Sequence, residues 1–133
     1  PNSIAPGKLS LSSMTPTILL RPDGTPMLVS GSPGGTYIIA CMAQTIINLV
    51  DFNLPITEAV YSPRVAGTDG GKTRIEGRLH QGVIDELTEM GHDIEITKDY
   101  DPNMGSSNSI VVLDDGTYHG CGDPRRDSQC AAY

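Results

Sequence analysis

A chain of 133 residues has room for one core and should bury about two-thirds of its unfolded surface. With no Trp, one Phe and five Tyr, that core must be aliphatic. Sixteen Asp and Glu against nine Lys and Arg give a net charge of -7 with no basic run, which argues against nucleic acid as a partner.

Pro1-Asn2-Ser3 leads directly into a Pro/Gly-rich loop that reaches Ser10, with no secretory leader in view. A processed start would look the same. Ile18, Leu19 and Leu20 then predict a buried strand over residues 15–20. Arg21-Pro22-Asp23-Gly24 is a turn by its own chemistry, because Pro presets φ and Gly accepts a positive one. Residues 27–30 return as a second strand and make a hairpin.

After Gly31-Ser32-Pro33-Gly34-Gly35 a long helix is expected from Thr36 to about Phe52. Its apolar face is read as Ile38, Ile39, Met42, Ile46, Leu49 and Val50. Gln44, Thr45, Asn48, Asp51 and Asn53 interrupt the apolar run of residues 37–54, so it does not read as a membrane span. Asn53-Leu54-Pro55 stops the helix, and Thr57 is expected to cap a short one ending at Tyr61. A strand follows over residues 73–76, after the Gly70-Gly71 turn. Val83, Ile84, Leu87 and Met90 then mark one face of a helix closed by Gly91. Ile94 and Ile96 alternate as a strand, and Asp114-Asp115-Gly116 joins residues 110–113 to 117–121 as a hairpin. The expected class is α/β (α+β), a single domain over residues 1–133, mostly antiparallel with hairpins outnumbering crossovers.

Chemistry concentrates at the strand–turn–helix of residues 27–36. Glycines at a helix N-terminus let backbone N–H groups point outward, and orphan donors with the helix dipole make an anion site. The anion can be a phosphate, a carboxylate or the oxyanion of a tetrahedral intermediate. The plain alternative is that Gly34 and Gly35 only permit a sharp turn. Gly35 is expected in the first helical turn, where a proline would be tolerated. Ser32-Pro33-Gly34 looks like the back half of a nucleophile elbow, but Ser stands at position 30 and Pro33 has no N–H for an oxyanion. Ser32 is therefore rejected as a nucleophile.

His80, His92 and His119 are scattered and read as surface histidines, with no metal constellation and no cofactor motif. Asp99, Asp101, Asp114 and Asp115 suit backbone capping in turns. Asp123-Pro124-Arg125-Arg126-Asp127 is expected to make local salt bridges, and Gly105-Ser106-Ser107 to form a polar turn. Cys41 falls in a helical apolar pattern and reads as a buried thiol. Cys121 and Cys130 can pair or stay free, and their spacing leaves both open.

Asn2-Ser3-Ile4-Ala5-Pro6-Gly7-Lys8, followed by Leu11-Ser12-Ser13-Met14-Thr15-Pro16-Thr17-Ile18, resembles the small subunit of the gamma-glutamyltransferase family. The resemblance continues through Gly31-Ser32-Pro33-Gly34-Gly35, Glu58-Ala59, Pro63-Arg64, Gly122-Asp123-Pro124-Arg125 and Tyr133. Leu9-Ser10 departs from the Arg-Pro frequent in that family, in a loop, and puts nothing chemical in doubt.

The resemblance implies part of a four-layer αββα N-terminal-nucleophile hydrolase, made by self-cleavage of a precursor and located in the periplasm or secreted. It implies that an N-terminal Thr attacks a gamma-glutamyl amide such as glutathione, and that the glutamyl ester passes to water, an amino acid or a peptide. Ser12 and Ser13 would hold the glutamyl α-carboxylate, and Gly34 and Gly35 would supply the oxyanion-hole N–H groups. The catalytic Thr lies upstream of the Pro-Gly-Lys loop in that family, so no nucleophile is expected in this chain, which taken alone should be inactive. The large subunit and the upstream part of the small subunit are the expected partners, with self-association where their contact surfaces lie bare. Two other readings stand beside this one. One is a related acylase acting on a cephalosporin side chain or a poly-gamma-glutamate capsule; the other is a binding module without catalysis.

Overall fold

The Arg21-Pro22-Asp23-Gly24 turn forms as its residues dictate: Gly24 takes a φ of +85° and donates its N–H to Arg21 O at 2.9 Å. Asp23 closes it by accepting from Thr25 N–H at 2.9 Å. The strands it joins are β1 (Thr17–Leu20) and β2 (Pro26–Gly31), paired antiparallel. The computed structural model describes residues 3–132, so the calls on Pro1, Asn2 and Tyr133 lie outside the described residues.

A single 3-10 turn, Gly35–Tyr37, feeds α1 (Ile38–Val50), and α2 (Ile56–Tyr61) follows. Then come β3 (Val65–Gly67), β4 (Lys72–Glu76), α3 (Gln81–Glu89), β5 (Asp93–Thr97), β6 (Asn108–Val112) and β7 (Tyr118–Cys121). One sheet runs β1-β2-β6-β7, antiparallel throughout. The other runs β3-β4-β5, with β4 and β5 parallel across the α3 crossover. Hairpins therefore do outnumber crossovers among the described residues, and the α/β class with mostly antiparallel strands is what forms.

Several local expectations are corrected, among them a wholly buried first strand, since Ile18 and Leu20 of β1 are exposed. Pro55, not Thr57, stands at the N-cap of α2, and no side chain caps it; its fixed φ suits the helix entry. β3 went unread because three residues after Pro63 carry no periodicity. α1 buries Ile38, Cys41, Met42 and Thr45, while Ile39 and Val50 face outward.

The core lies under one face of the four-stranded sheet. Leu28, Val111 and Cys121 pack there on Ile56 and Val60 of α2, with Leu19, Ile46, Leu49 and Leu113 partly buried against them. At one end of that face Ser30, Ser107 and Ser109 bond to one another at 2.7–3.2 Å, which satisfies hydroxyls that burial would otherwise penalise. On the opposite face the row Ile18, Val29, Ile110 is exposed, with Leu20 and Tyr118 beside it. Ile84 of α3 is buried but Val83, and Met90 at the C-cap, are exposed, and His80 caps the other end by accepting from Gly82 N–H at 3.1 Å. Among the described residues no helix is long and apolar enough to cross a membrane.

Candidate active site

The register of the four-stranded sheet decides what meets at its end. Thr17 pairs with Ser30, Gly31 with Asn108, and Ser109 with Cys121. The start of β1, the end of β2, the start of β6 and the end of β7 thus share one edge. Four segments leave the sheet there: Ser12–Ser13, the Gly34–Gly35 turn, the loop 101–107 and the tail that carries Asp123 and Arg125.

In the turn, Gly34 takes φ +146° and Gly35 φ +60°, backbone that favours glycine. Tyr37 N–H donates to Gly34 O at 3.2 Å and Ile38 N–H to Gly35 O, which leaves the N–H groups of Gly34 and Gly35 out of the helical ladder. A β-carbon on Gly34 would fall 2.8 Å from Gly105 Cα, so glycine is required there by contact as well as by φ. Gly35 has open space around it but not the negative φ of a first helical turn, so the tolerance expected for proline is not there.

Ser32 is committed to structure. Its Oγ donates to Pro33 O at 2.8 Å and accepts from Ser106 N–H at 2.9 Å, which agrees with rejecting it as a nucleophile. Ser12 is exposed, and its Oγ accepts from Met14 N–H at 3.2 Å. Ser13 is half-buried. Cys41 and Cys121 are buried free thiols and Cys130 is exposed and free. Burial pushes Cys41 up from its ordinary value and Cys121 up to about 11.

Behind the turn lies a cluster of which the sequence gives only the local part. Asp123 and Arg125 do bond to each other, Nη1 to Oδ1 at 3.1 Å, but their main partners are remote. Arg64 Nη2 meets Asp123 Oδ2 at 2.5 Å, 59 residues away, and Arg125 grips Glu76. Arg64, Glu76, Asp123 and Arg125 are all buried. Pro63-Arg64 and Gly122-Asp123-Pro124-Arg125 stand in the sequence as landmarks of the resemblance, and Glu76 carries no such signal. Arg126 bonds outward to Pro102 O at 2.9 and 3.0 Å. Asp101 accepts from Asn103 N–H and Asp115 from Thr117 N–H, the capping roles expected of them.

A family model described as gamma-glutamyltranspeptidase matches residues 1–133. The chain belongs to the gamma-glutamyltranspeptidase family. It is 36% identical over 125 residues to the glutathione hydrolase proenzyme of Escherichia coli (strain K12), covering 93% of this chain and 21% of that protein. The T380A mutant of Helicobacter pylori gamma-glutamyltranspeptidase aligns at TM-score 0.82 and 41% identity, over 92% of this chain and 66% of that one. Cephalosporin acylase from Bacillus halodurans aligns at TM-score 0.77 and 27% identity, over 84% of this chain and 21% of that one. The chain thus spans about a fifth of the length of the curated relatives it matches. Its fold is that of the N-terminal-nucleophile hydrolases of the gamma-glutamyltranspeptidase family.

Proposed function

We propose that these residues form one domain, the later part of the small subunit of a gamma-glutamyltransferase or glutathione hydrolase, and that they supply half of its site. The observation that carries this is the Gly34–Gly35 turn, with both φ angles positive, in a chain the family model matches from end to end. Gly34 and Gly35 direct N–H groups at the oxyanion that forms when the gamma-carbonyl of the substrate is attacked. Donors fixed in advance cost no reorganisation as that charge develops, and one of them contributes on the order of 100- to 1000-fold in kcat.

Ser12 and Ser13, at the same end of the sheet, hold the glutamyl α-carboxylate. Ser12 Oγ already accepts a hydrogen bond, so its O–H proton is available to donate to an anion. The nucleophile is a threonine from another segment, whose own α-amino group takes its proton. Its glutamyl ester is resolved by water, an amino acid or a peptide. The 133 residues by themselves have no such nucleophile and no activity.

The bare row Ile18, Val29, Ile110 on the sheet, with Ile39 and Val50 on α1, supports cover by the large subunit and by the upstream part of the small subunit. Ile4, Leu9, Leu11 and Met14, all exposed along the arm before β1, support the same. Without that cover these surfaces favour self-association.

The complete protein, offered glutathione, poly-gamma-glutamate and a cephalosporin in parallel, tests the reading. Glutathione turnover well above the other two is expected. Preference for either of them moves the assignment to the acylase reading, which the 27% identity to a cephalosporin acylase favours. No turnover of any leaves a binding module.

A further inference from the structure

We propose that the buried Arg64–Asp123 ion pair is a positioning device for the Gly34–Gly35 turn and acts through Gly105; the proposal rests on the oxyanion reading of that turn. Arg64 splits its guanidinium between charge and backbone. Nη2 bonds to Asp123 Oδ2 at 2.5 Å, while Nη1 donates to Met104 O at 3.1 Å and Gly105 O at 2.7 Å. Asp123 Oδ2 also accepts from Ser107 N–H at 2.7 Å. The pair therefore holds the backbone on both sides of Ser106.

Between those holds, Gly105 is a spacer with no tolerance. Its φ is +83°, and a β-carbon there would fall 2.7 Å from Cys41 Cβ, 2.9 Å from Cys41 Sγ and 3.1 Å from Ser32 Oγ. On its other side it meets Gly34, whose own β-carbon would fall 2.8 Å from Gly105 Cα. Ser106 N–H, bonded to Ser32 Oγ, ties the loop to the turn a second time. The order of contact is ion pair, loop, turn. Each step is a hydrogen bond or a van der Waals contact with no slack.

Stability alone is a weak reason for this arrangement, since a buried ion pair is often matched or bettered by well-packed apolar residues. Geometry is a stronger one. Oxyanion donors must lie about 2.7–3.1 Å from the developing charge, and a 1 Å error costs on the order of 100-fold in rate. The planar Arg64 fork holds two carbonyls and one carboxylate at once, in fixed directions that an ammonium cannot reproduce.

Three variants of the complete protein test this: Asp123→Asn, Arg64→Lys and Gly105→Ala. Each is read in two ways. Steady-state kinetics with gamma-glutamyl-p-nitroanilide, normalised to folded and processed enzyme, should show kcat down by about 10- to 100-fold with KM within about 3-fold. Amide hydrogen exchange should rise in the peptide spanning residues 31–38 and stay unchanged in the peptide spanning residues 81–97. The exchange readout needs neither turnover nor processing. If the wild-type protein lacks gamma-glutamyl activity, the functional reading falls and exchange alone judges the positioning role. Wild-type exchange at residues 31–38 in all three variants overturns the proposal. So does an even rise across both peptides, which is the mark of a merely structural pair, and so does kcat within about 2-fold of an active wild type.

Discussion

Arg125 closes on Glu76 with two hydrogen bonds of 2.6 Å, Nε to Oε1 and Nη2 to Oε2, across 49 residues of sequence. Both side chains are fully buried. Glu76 also accepts from Asp101 N–H at 3.0 Å and Arg64 N–H at 3.1 Å, while Arg125 donates to Val60 O at 2.9 Å and Ser62 O at 2.8 Å. One carboxylate and one guanidinium thus bind the end of α2, the end of β4, the loop 101–107 and the tail together. Burial opposes the charge on Arg125, but the hydrogen bond to Glu76 and the carboxylates of Asp123 and Glu76 outweigh it and hold its pKa above the ordinary value.

Removing one member of this pair leaves the other buried without its two-bond partner, with only Asp123 left to Arg125 or half-buried Arg78 left to Glu76. Glu76→Ala or Arg125→Ala should each destabilise the protein by about 3–5 kcal/mol. Changing both together should cost less than the sum of the single changes, because no lone charge remains. Urea midpoints of the four proteins form the cycle. Additive losses would show that the two groups act independently.

The two glycines of the turn should respond differently to alanine. Gly34→Ala places a methyl 2.8 Å from Gly105 Cα at a φ of +146°, so the turn must move. Gly35→Ala meets nothing within 4 Å and bears only its left-handed φ of +60°, about 1–2 kcal/mol. We expect kcat to drop by on the order of 100-fold in the first. The second should keep most of its activity and lose some stability. The reverse order in kcat would remove Gly34 from the site.

What the sequence disclosed and what it hid follow from range. The turns at Arg21–Gly24 and Asp114–Gly116, the strands of alternating residues and the sharp Gly34–Gly35 turn into a helix are encoded within a few positions, and each is readable there. Gly91 likewise stands just past α3 with φ +95°, as its place after Met90 implied. The apolar face of α1 was read too wide, because Ile39 and Val50 fit a helical period yet lie on its outer side. The buried cluster was invisible for another reason. A charged residue in a polar tail carries no local mark of a partner 59 residues away, so the sequence points Asp123 only to local salt bridges and not to Arg64.

The three thiols should separate by reactivity. Thiolate is the nucleophile, and burial holds Cys121 neutral, with Cys130 and Asp123 adding to the effect, up to about 11. Burial likewise raises Cys41, despite the nearby Arg64. Iodoacetamide at neutral pH should modify exposed Cys130 first and leave Cys41 and Cys121 intact, as peptide mass spectrometry would record. The folded state favours the neutral Cys121 thiol. Its contribution to stability is therefore present below the ordinary value of 9.0 and lost as pH rises toward about 11. Labelling of Cys121 as fast as Cys130 at neutral pH would contradict this.

The last expectation is that Ser12 and Ser13 grip the α-carboxylate end of the substrate. Adjacent side chains in an extended segment point to opposite faces, and here they differ as that requires, with Ser12 exposed and Ser13 half-buried. Ser12 Oγ takes its one accepted bond from Met14 N–H, which orients the hydroxyl and leaves its proton to donate. A carboxylate accepting from such a hydroxyl gains a charge-assisted bond of about 1.5–3 kcal/mol. Replacing both serines by alanine should therefore raise KM by on the order of 10- to 100-fold for gamma-glutamyl substrates with a free α-carboxylate. A substrate whose α-carboxylate is amidated never made that bond, so its already poor kcat/KM should barely change. The contrast between the two substrates carries the assignment, because loss of the Ser12 turn alone would slow both alike. Equal losses would make Ser12 and Ser13 structural.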